Sequence, residues 1–249
     1  MALFLVMLGY ITYFQVKKSQ EVIRSPYNAR QNSNEKQITR GKILDKNGNV
    51  LAKTDTASDG TQTRDYPYGN VFAHVVGYSA QGKSGIESLE NTELMNSDEN
   101  FLIKLKNQLQ DKKNIGNTVI TTLDAGLQQA AYQALGDNRG AVVVMDPKTG
   151  KILAMVSKPD FDPNTVVADW DTLSSSGDSV LLNRATQGQY APGSTFKVVT
   201  TLEYMRENPD YASYSYNCRG SIERDGIRIH CYNGHVHGQV DLQDSLAYS

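Results

Sequence analysis

The stretch from Val119 to Ser157 restricts the possible folds more than any other part of the chain. Val119 and Ile120 make a short strand, after which Leu123, Leu127, Ala130, Ala131, Ala134 and Leu135 recur at helical spacing. Gly136 stops that run, and at its start Thr122 is placed to cap the helix with Asp124 in the first turn. GAVVVMD (140–146) then reads as a strand, Pro147-Lys148-Thr149-Gly150 as a turn, and KILAMVS (151–157) as the antiparallel return. A helix followed by so tight a hairpin can hide its apolar stripe only against the sheet beside it. The fold class expected is therefore α+β, an antiparallel sheet flanked by helices.

Upstream, RGKILDKNGNVLAK holds a strand at Ile43-Leu44, an Asn47-Gly48 turn and a strand at Val50-Leu51-Ala52. Residues 55–65 are polar and turn-rich and read as a loop. Residues 84–94 place Ile86, Leu89 and Leu94 on one helical face, and the Asn- and Lys-rich residues 95–117 read as a joint between domains. The division expected is an N-terminal segment at 1–16, a small mostly-β domain at 17–117 and a second domain at 118–249.

Residues 1–16 carry no charged side chain, and the first charges are Lys17 and Lys18. They lack both the basic start and the Ala-x-Ala end of a signal peptide, and their polar positions do not define a face. A membrane anchor is the reading adopted. At about 1.5 Å per residue it falls short of a roughly 30 Å hydrocarbon core, so further residues are expected upstream. Lys17 and Lys18 alone would favour a cytoplasmic C-terminus. From Lys17 to about Asn34 a helical extension ending at Pro26 is expected.

With Lys+Arg 25 against Asp+Glu 27, the net charge of −2 gives no basic footprint for nucleic acid. A hydrophobic fraction of 39% excludes a disordered tail. The two cysteines, Cys218 and Cys231, leave three readings open. One is a disulfide worth about 3 kcal/mol, and the second is a pair of free thiols. The third is a metal site with His230, His235 and His237, whose spacing matches no common structural zinc motif. No cofactor or metal is assigned.

QYAPGSTFKVVTTLEYM (189–205) reads as a Gly turn leading into a helix, with Ser194 at the N-terminal end and Lys197 three residues on, facing the same side. A serine hydroxyl is a weak nucleophile unless a base takes its proton, and a lysine can be that base. The helix N-terminus favours the developing negative charge. By itself Ser-x-x-Lys is too short to be specific, and Ser33-Asn34-Glu35-Lys36 repeats it in a polar stretch.

Context supplies the specificity. Arg40-Gly41-Lys42-Ile43-Leu44-Asp45-Lys46-Asn47-Gly48 with Leu51-Ala52 comes first, then Gly85-Ile86-Glu87, then Thr122-Leu123-Asp124 with Gln128. Gly140 to Met155 follows, then Pro159, Phe161, Asp162, Pro163 and Asn164, then Pro192-Gly193-Ser194-Thr195-Phe196-Lys197. In this order they resemble a class B penicillin-binding protein, a peptidoglycan D,D-transpeptidase of the penicillin-recognising serine enzymes. The resemblance implies a pedestal domain followed by the first part of a transpeptidase domain. It implies Ser194 as the nucleophile and Lys197 as its base, acting on the D-Ala–D-Ala end of peptidoglycan stem peptides. It also implies β-lactams as covalent inhibitors, and a polytopic cell-wall glycosyltransferase as a partner. It places the protein in the bacterial cell membrane as a single-pass chain with its domains outside the cell, against the hint from Lys17 and Lys18.

The family's two later motifs are not found in their usual order. Lys148-Thr149-Gly150 and Lys83-Ser84-Gly85 both precede Ser194, and Ser215-Tyr216-Asn217 follows it too closely. His237 to Leu242 with Ser245 to Ser249 resembles the helix that enters Ser-x-Asn, which makes Ser249 the first residue of that motif. The chain is accordingly expected to be an incomplete transpeptidase, inactive as written. The alternatives are a non-catalytic scaffold and a β-lactam sensor.

Overall fold

The computed structural model describes residues 2–18, 38–110 and 112–248, in two compact units, Met1–Gly188 and Gln189–Ser249. The expected extension from Lys17 to Asn34 lies, beyond Lys18, outside the described residues. A helix covers Ala2–Tyr13 and continues as a wider turn over Phe14–Lys18. Among the described residues no helix is long and apolar enough to cross a membrane.

The sheet of the first unit runs in the order Gln62–Asp65, Val50–Thr56, Ile43–Leu44, Val119–Ile120, its last pair parallel. Residues 55–65, read as a loop, are mostly strand: Thr56 pairs with Gln62 and Lys53 with Asp65. Their side chains are polar and half-exposed, so no apolar alternation announces the pairing. In the preceding turn only Gly48 takes a positive φ, +87°, and Asp45 holds the turn by accepting the N–H groups of Asn47 and Asn49, each at 2.8 Å.

Two more readings change. Residues 84–94 form two short helices, Gly85–Leu89 and Asn91–Leu94, whose buried face is Glu87, Asn91 and Leu94, while Leu89 points to solvent. Glu87 on that face meets two guanidiniums, while Leu94 joins the apolar core and Ile86 packs against it. The expected joint contains a helix, Phe101–Leu109, and a strand, Asn114–Ile115, parallel to Ile38–Thr39. Gly41 allows the closest approach here: a Cβ would sit 1.8 Å from the Asn117 carbonyl oxygen.

The core gathers Ile43, Leu51, Ala52, Tyr66, Phe72, Val76, Leu94 and Leu123. Leu123 comes from the second half of the unit, and polar contacts extend the same junction. The helix Ala125–Leu135 is capped by Asp124, which accepts the Leu127 N–H, and not by Thr122, whose hydroxyl donates to the Ile152 carbonyl. Asp124 also pairs with Lys46 at 2.9 Å, and Asp45 accepts the Ala125 N–H. Burial pushes the Asp45 carboxyl up, but donors from Asn49, Ala125 and Asn47 outweigh it and hold the group below its ordinary value.

Gln128 is fully buried on that helix. Its amide nitrogen donates to Val71 O at 2.7 Å and Met155 O at 2.8 Å, and its oxygen accepts the Met155 N–H at 2.8 Å. One side chain thus ties the short helical turn Gly69–Phe72, the helix Ala125–Leu135 and the strand Ile152–Lys158 together. Gln128→Leu strands one buried donor and two acceptors, and is expected to lower unfolding stability by about 2–4 kcal/mol. Chemical denaturation checks this, and an unchanged midpoint would overturn the role.

The hairpin Gly140–Met145 with Ile152–Lys158 is antiparallel, with Val142 opposite Val156, and packs Ala154 and Val156 on Ala131. In the second unit the helix Phe196–Glu207 is followed by Tyr216–Cys218, paired antiparallel with Gly238–Val240. Between them a hairpin joins Ser221–Arg224 to Ile227–His230, and a final helix covers Leu242–Ala247. Phe196, Val198, Val199 and Leu202 are all exposed on the long helix.

Candidate active site

Pro192 opens the turn with helical dihedrals, and Gly193 takes φ +54°, a backbone conformation open to glycine. The chain then winds through a tight turn, Gly193–Thr195, directly into Phe196–Glu207. Thr195 Oγ1 donates back to the Pro192 carbonyl at 2.5 Å and fixes that entry. Ser194 and Lys197 fall on one side of the first turn. Both are exposed, and both line a cleft of about 660 Å³ that lies within the second unit.

The other walls of the cleft include Tyr216, Cys218, Cys231 and Tyr248. Tyr248 ends the helix Leu242–Ala247, which begins in a capping box between Asp241 and Asp244, and stacks on His237 with the rings 4° from parallel. The structure therefore brings Ser194 and Lys197 together at one opening. Ser249, the third residue singled out in the sequence, lies outside the described residues.

The two look-alike motifs have other work. Lys148-Thr149-Gly150 is the hairpin turn, closed by Asp146, which accepts the Lys148 N–H and the Thr149 hydroxyl. Ser84 precedes the short helix that begins at Gly85. Neither provides an exposed strand edge that could take a carboxylate.

Neither cysteine is in a disulfide: the Cys218 and Cys231 sulfurs stand 3.4 Å apart, unbonded. His237 Nδ1 lies 3.4 Å from Cys218 Sγ, because the strand pairing sets Gly238 opposite Cys218. Backbone N–H groups of His237 and Gly220, together with the His237 ring and the Cys231 thiol, bring the Cys218 thiol down to about 6. Cys231 is pushed up by its neighbour Cys218 and by burial, with Lys197 acting in the opposite sense. Of the three histidines considered in the sequence, only His237 joins the sulfurs. The signal that would have selected it is the pairing register, which spacing alone does not supply.

The family described as penicillin binding protein transpeptidase domain matches residues 140–249. The penicillin binding protein A dimerisation domain matches residues 40–119. The peptidoglycan D,D-transpeptidase PbpA of Mycolicibacterium smegmatis is 38% identical over 224 residues, covering 83% of this chain and 45% of that protein. The peptidoglycan D,D-transpeptidase MrdA of Acinetobacter baumannii is 38% identical over 173 residues, 56% of this chain and 26% of the relative. Among solved structures, a ceftriaxone acyl-enzyme complex of penicillin-binding protein A from M. tuberculosis matches with a TM-score of 0.75 and 29% identity, covering 87% of this chain and 53% of that one. A D,D-transpeptidase domain from Eggerthella lenta matches with a TM-score of 0.67 and 37% identity, covering 82% and 45%. The chain spans about half the length of the curated PbpA relatives it matches. With two family domains matched in order and a mixed α+β fold shared with the solved structures, the chain belongs to the class B penicillin-binding proteins.

Proposed function

We propose that the protein to which these residues belong is a peptidoglycan D,D-transpeptidase, with Ser194 as nucleophile and Lys197 as general base. The observation that carries this reading is the placement of both side chains on the first turn of Phe196–Glu207, open to one cleft. Ser194 Oγ attacks the carbonyl carbon of the penultimate D-Ala while its proton passes to Lys197 Nζ. The amide C–N bond then breaks, the proton goes to the departing nitrogen of the terminal D-Ala, and an acyl ester remains on Ser194. An amine of a neighbouring peptide attacks that ester, forms the cross-link and frees the serine. A β-lactam enters by the same first step and stays as the ester, as in the ceftriaxone acyl-enzyme complex of the M. tuberculosis relative.

The finer reading follows the family. Residues 1–16 anchor the chain in the bacterial membrane with the domains outside, 17–117 form the pedestal, and 118–249 hold the nucleophile part of the transpeptidase domain. The matches at 40–119 and 140–249 support that division. Ser249 begins the Ser-x-Asn element, and a polytopic glycosyltransferase is the membrane partner. Because no Lys-Thr-Gly follows Ser194 in the sequence, the 249 residues alone do not complete turnover.

The test is covalent labelling. In membranes carrying the protein, a fluorescent penicillin is expected to mark it, and peptide mass analysis to place the adduct on the segment containing Ser194. An adduct on any other residue, or none on this protein, would overturn the assignment. The purified 249-residue chain is expected to release no D-Ala from a D-Ala–D-Ala peptide, and release above the blank would overturn the finer reading.

A further inference from the structure

We propose that a cleft in the first unit, walled by Arg40 and Arg64, binds a carboxylate carried on a short aliphatic stem.

Charge balance is the first argument. Arg40 and Arg64 are both about nine-tenths buried, and the fully buried Glu87 is the carboxylate they share. Two guanidiniums on one carboxylate leave this cluster with an excess positive charge, and burial makes such a charge costly until an anion balances it. Arg40 commits its donors to Glu87 and Asn91. Arg64 gives Nε to Glu87 Oε1, and Nη1 to the Gly41 carbonyl and the Thr54 hydroxyl. Its Nη2, which carries two N–H donors, is buried and has no acceptor among the described residues.

The strand pairing turns that end of Arg64 to the cleft. Thr54 stands opposite Arg64 and Thr56 opposite Gln62, so alternation puts Thr54, Gln62 and Arg64 on one face of the pair. All three line a cleft of about 290 Å³, near the small end of ligand pockets. Because Nη1 holds Thr54 Oγ1 at 3.0 Å, the outer end of the guanidinium is the part that meets this wall. Asp55 and Asp65 alternate to the opposite face, where Lys53 pairs with them at 2.8 and 3.4 Å. Among the described residues no acidic side chain lines the cleft. Lys113 Nζ donates to Gln62 Oε1 at 3.1 Å and brings a third cation to that wall.

The donors and the walls together select the ligand. Guanidinium groups take carboxylates and phosphates alike. With Nε and Nη1 committed, Arg64 offers one nitrogen in place of a two-nitrogen fork, which suits a single carboxylate oxygen. Ile38 and buried Met95 supply apolar wall, which suits an aliphatic stem and not a phosphate ringed by water.

The experiment follows the unaltered 249-residue chain. Trp170, its only tryptophan, lies in the first unit, so its emission reports unfolding there. At constant ionic strength, propionate in place of chloride should raise the midpoint saturably, by about 2–4 °C. Propionamide, of the same shape without the charge, should not. The Arg64 Nε–H resonance should shift along the same titration. Acetyl-alanyl-alanine and its C-terminal amide separate two sources of the carboxylate. Tighter binding of the peptide acid than of propionate assigns the site to a peptide end, and equal binding to a free acid. Arg64→Lys keeps the charge but removes Nη2, and should weaken propionate binding about 10-fold or more. Ser79→Glu, which places a carboxylate in the cleft wall, should raise the midpoint in chloride and abolish the gain from propionate. If Arg64→Lys does not fold, the unaltered chain and Ser79→Glu decide the matter. No saturable shift, a shift shared by propionamide, or one matched by sulfate would each overturn the proposal.

Discussion

Replacing Glu87 with alanine is expected to destabilise the first unit by about 3–5 kcal/mol, a large part of the stability of an ordinary domain. The Glu87 side chain is fully buried and bridges two guanidiniums that are themselves about nine-tenths buried, Arg40 at 2.5 Å and Arg64 at 2.7 Å. Arg40 also donates to Asn91 Oδ1 and the Glu87 carbonyl, and Arg64 to the Gly41 carbonyl and the Thr54 hydroxyl. Removing the carboxylate leaves two buried cations facing each other, which costs far more than the net contribution of the intact cluster. Glu87→Gln keeps the volume and should still be strongly destabilising, which separates charge from cavity. Urea denaturation of Glu87→Gln, Arg40→Gln and the double variant measures the coupling. A coupling near zero, or a loss that added salt reproduces in the unaltered protein, would remove the argument, since salt screens exposed pairs and barely reaches buried ones.

The second large effect concerns the cleft. Ser194→Ala is expected to abolish covalent penicillin labelling, because no other oxygen holds its place at the mouth of the helix. Lys197→Ala should slow acylation by about 10²–10⁴-fold, the range general-base groups contribute. Lys197→Arg separates two roles: it keeps a positive charge but cannot give up its proton, so it should label as poorly as alanine if the lysine accepts the serine proton. Arginine at the unaltered rate would make the residue a charge carrier only. Time courses of fluorescent penicillin incorporation, with folding checked by circular dichroism, supply each comparison.

What could be read from the sequence follows from where the physics is local. The helix and hairpin from Ala125 to Lys158 carry their own periodicity and turn residues, and both appear. The Pro-Gly-Ser entry to Phe196–Glu207 is likewise local and legible, whereas Ser194 and Lys197 are singled out only by the ordered resemblance around them, since Ser33-Asn34-Glu35-Lys36 repeats the same spacing. The misreadings share a cause. Strand Gln62–Asp65 is stabilised by pairing with a distant partner and not by an apolar alternation. Glu87 occupies a position that an apolar residue would mark as core, since its counter-charges come from residues 23 and 47 positions away. His237 meets Cys218 only through the register of two short strands. Long-range pairing and buried polar partners leave little trace in periodicity.

The parallel pairing of Ile43 with Val119 also sets an order in time. A ribosome releases Ile43 long before Val119, and until that later strand emerges the four-stranded sheet has an open edge beside Ile43–Leu44. Leu123 and Ile152, which complete its apolar packing, arrive later still. That edge of the nascent sheet therefore stays unpaired until Val119–Ile120 has been made.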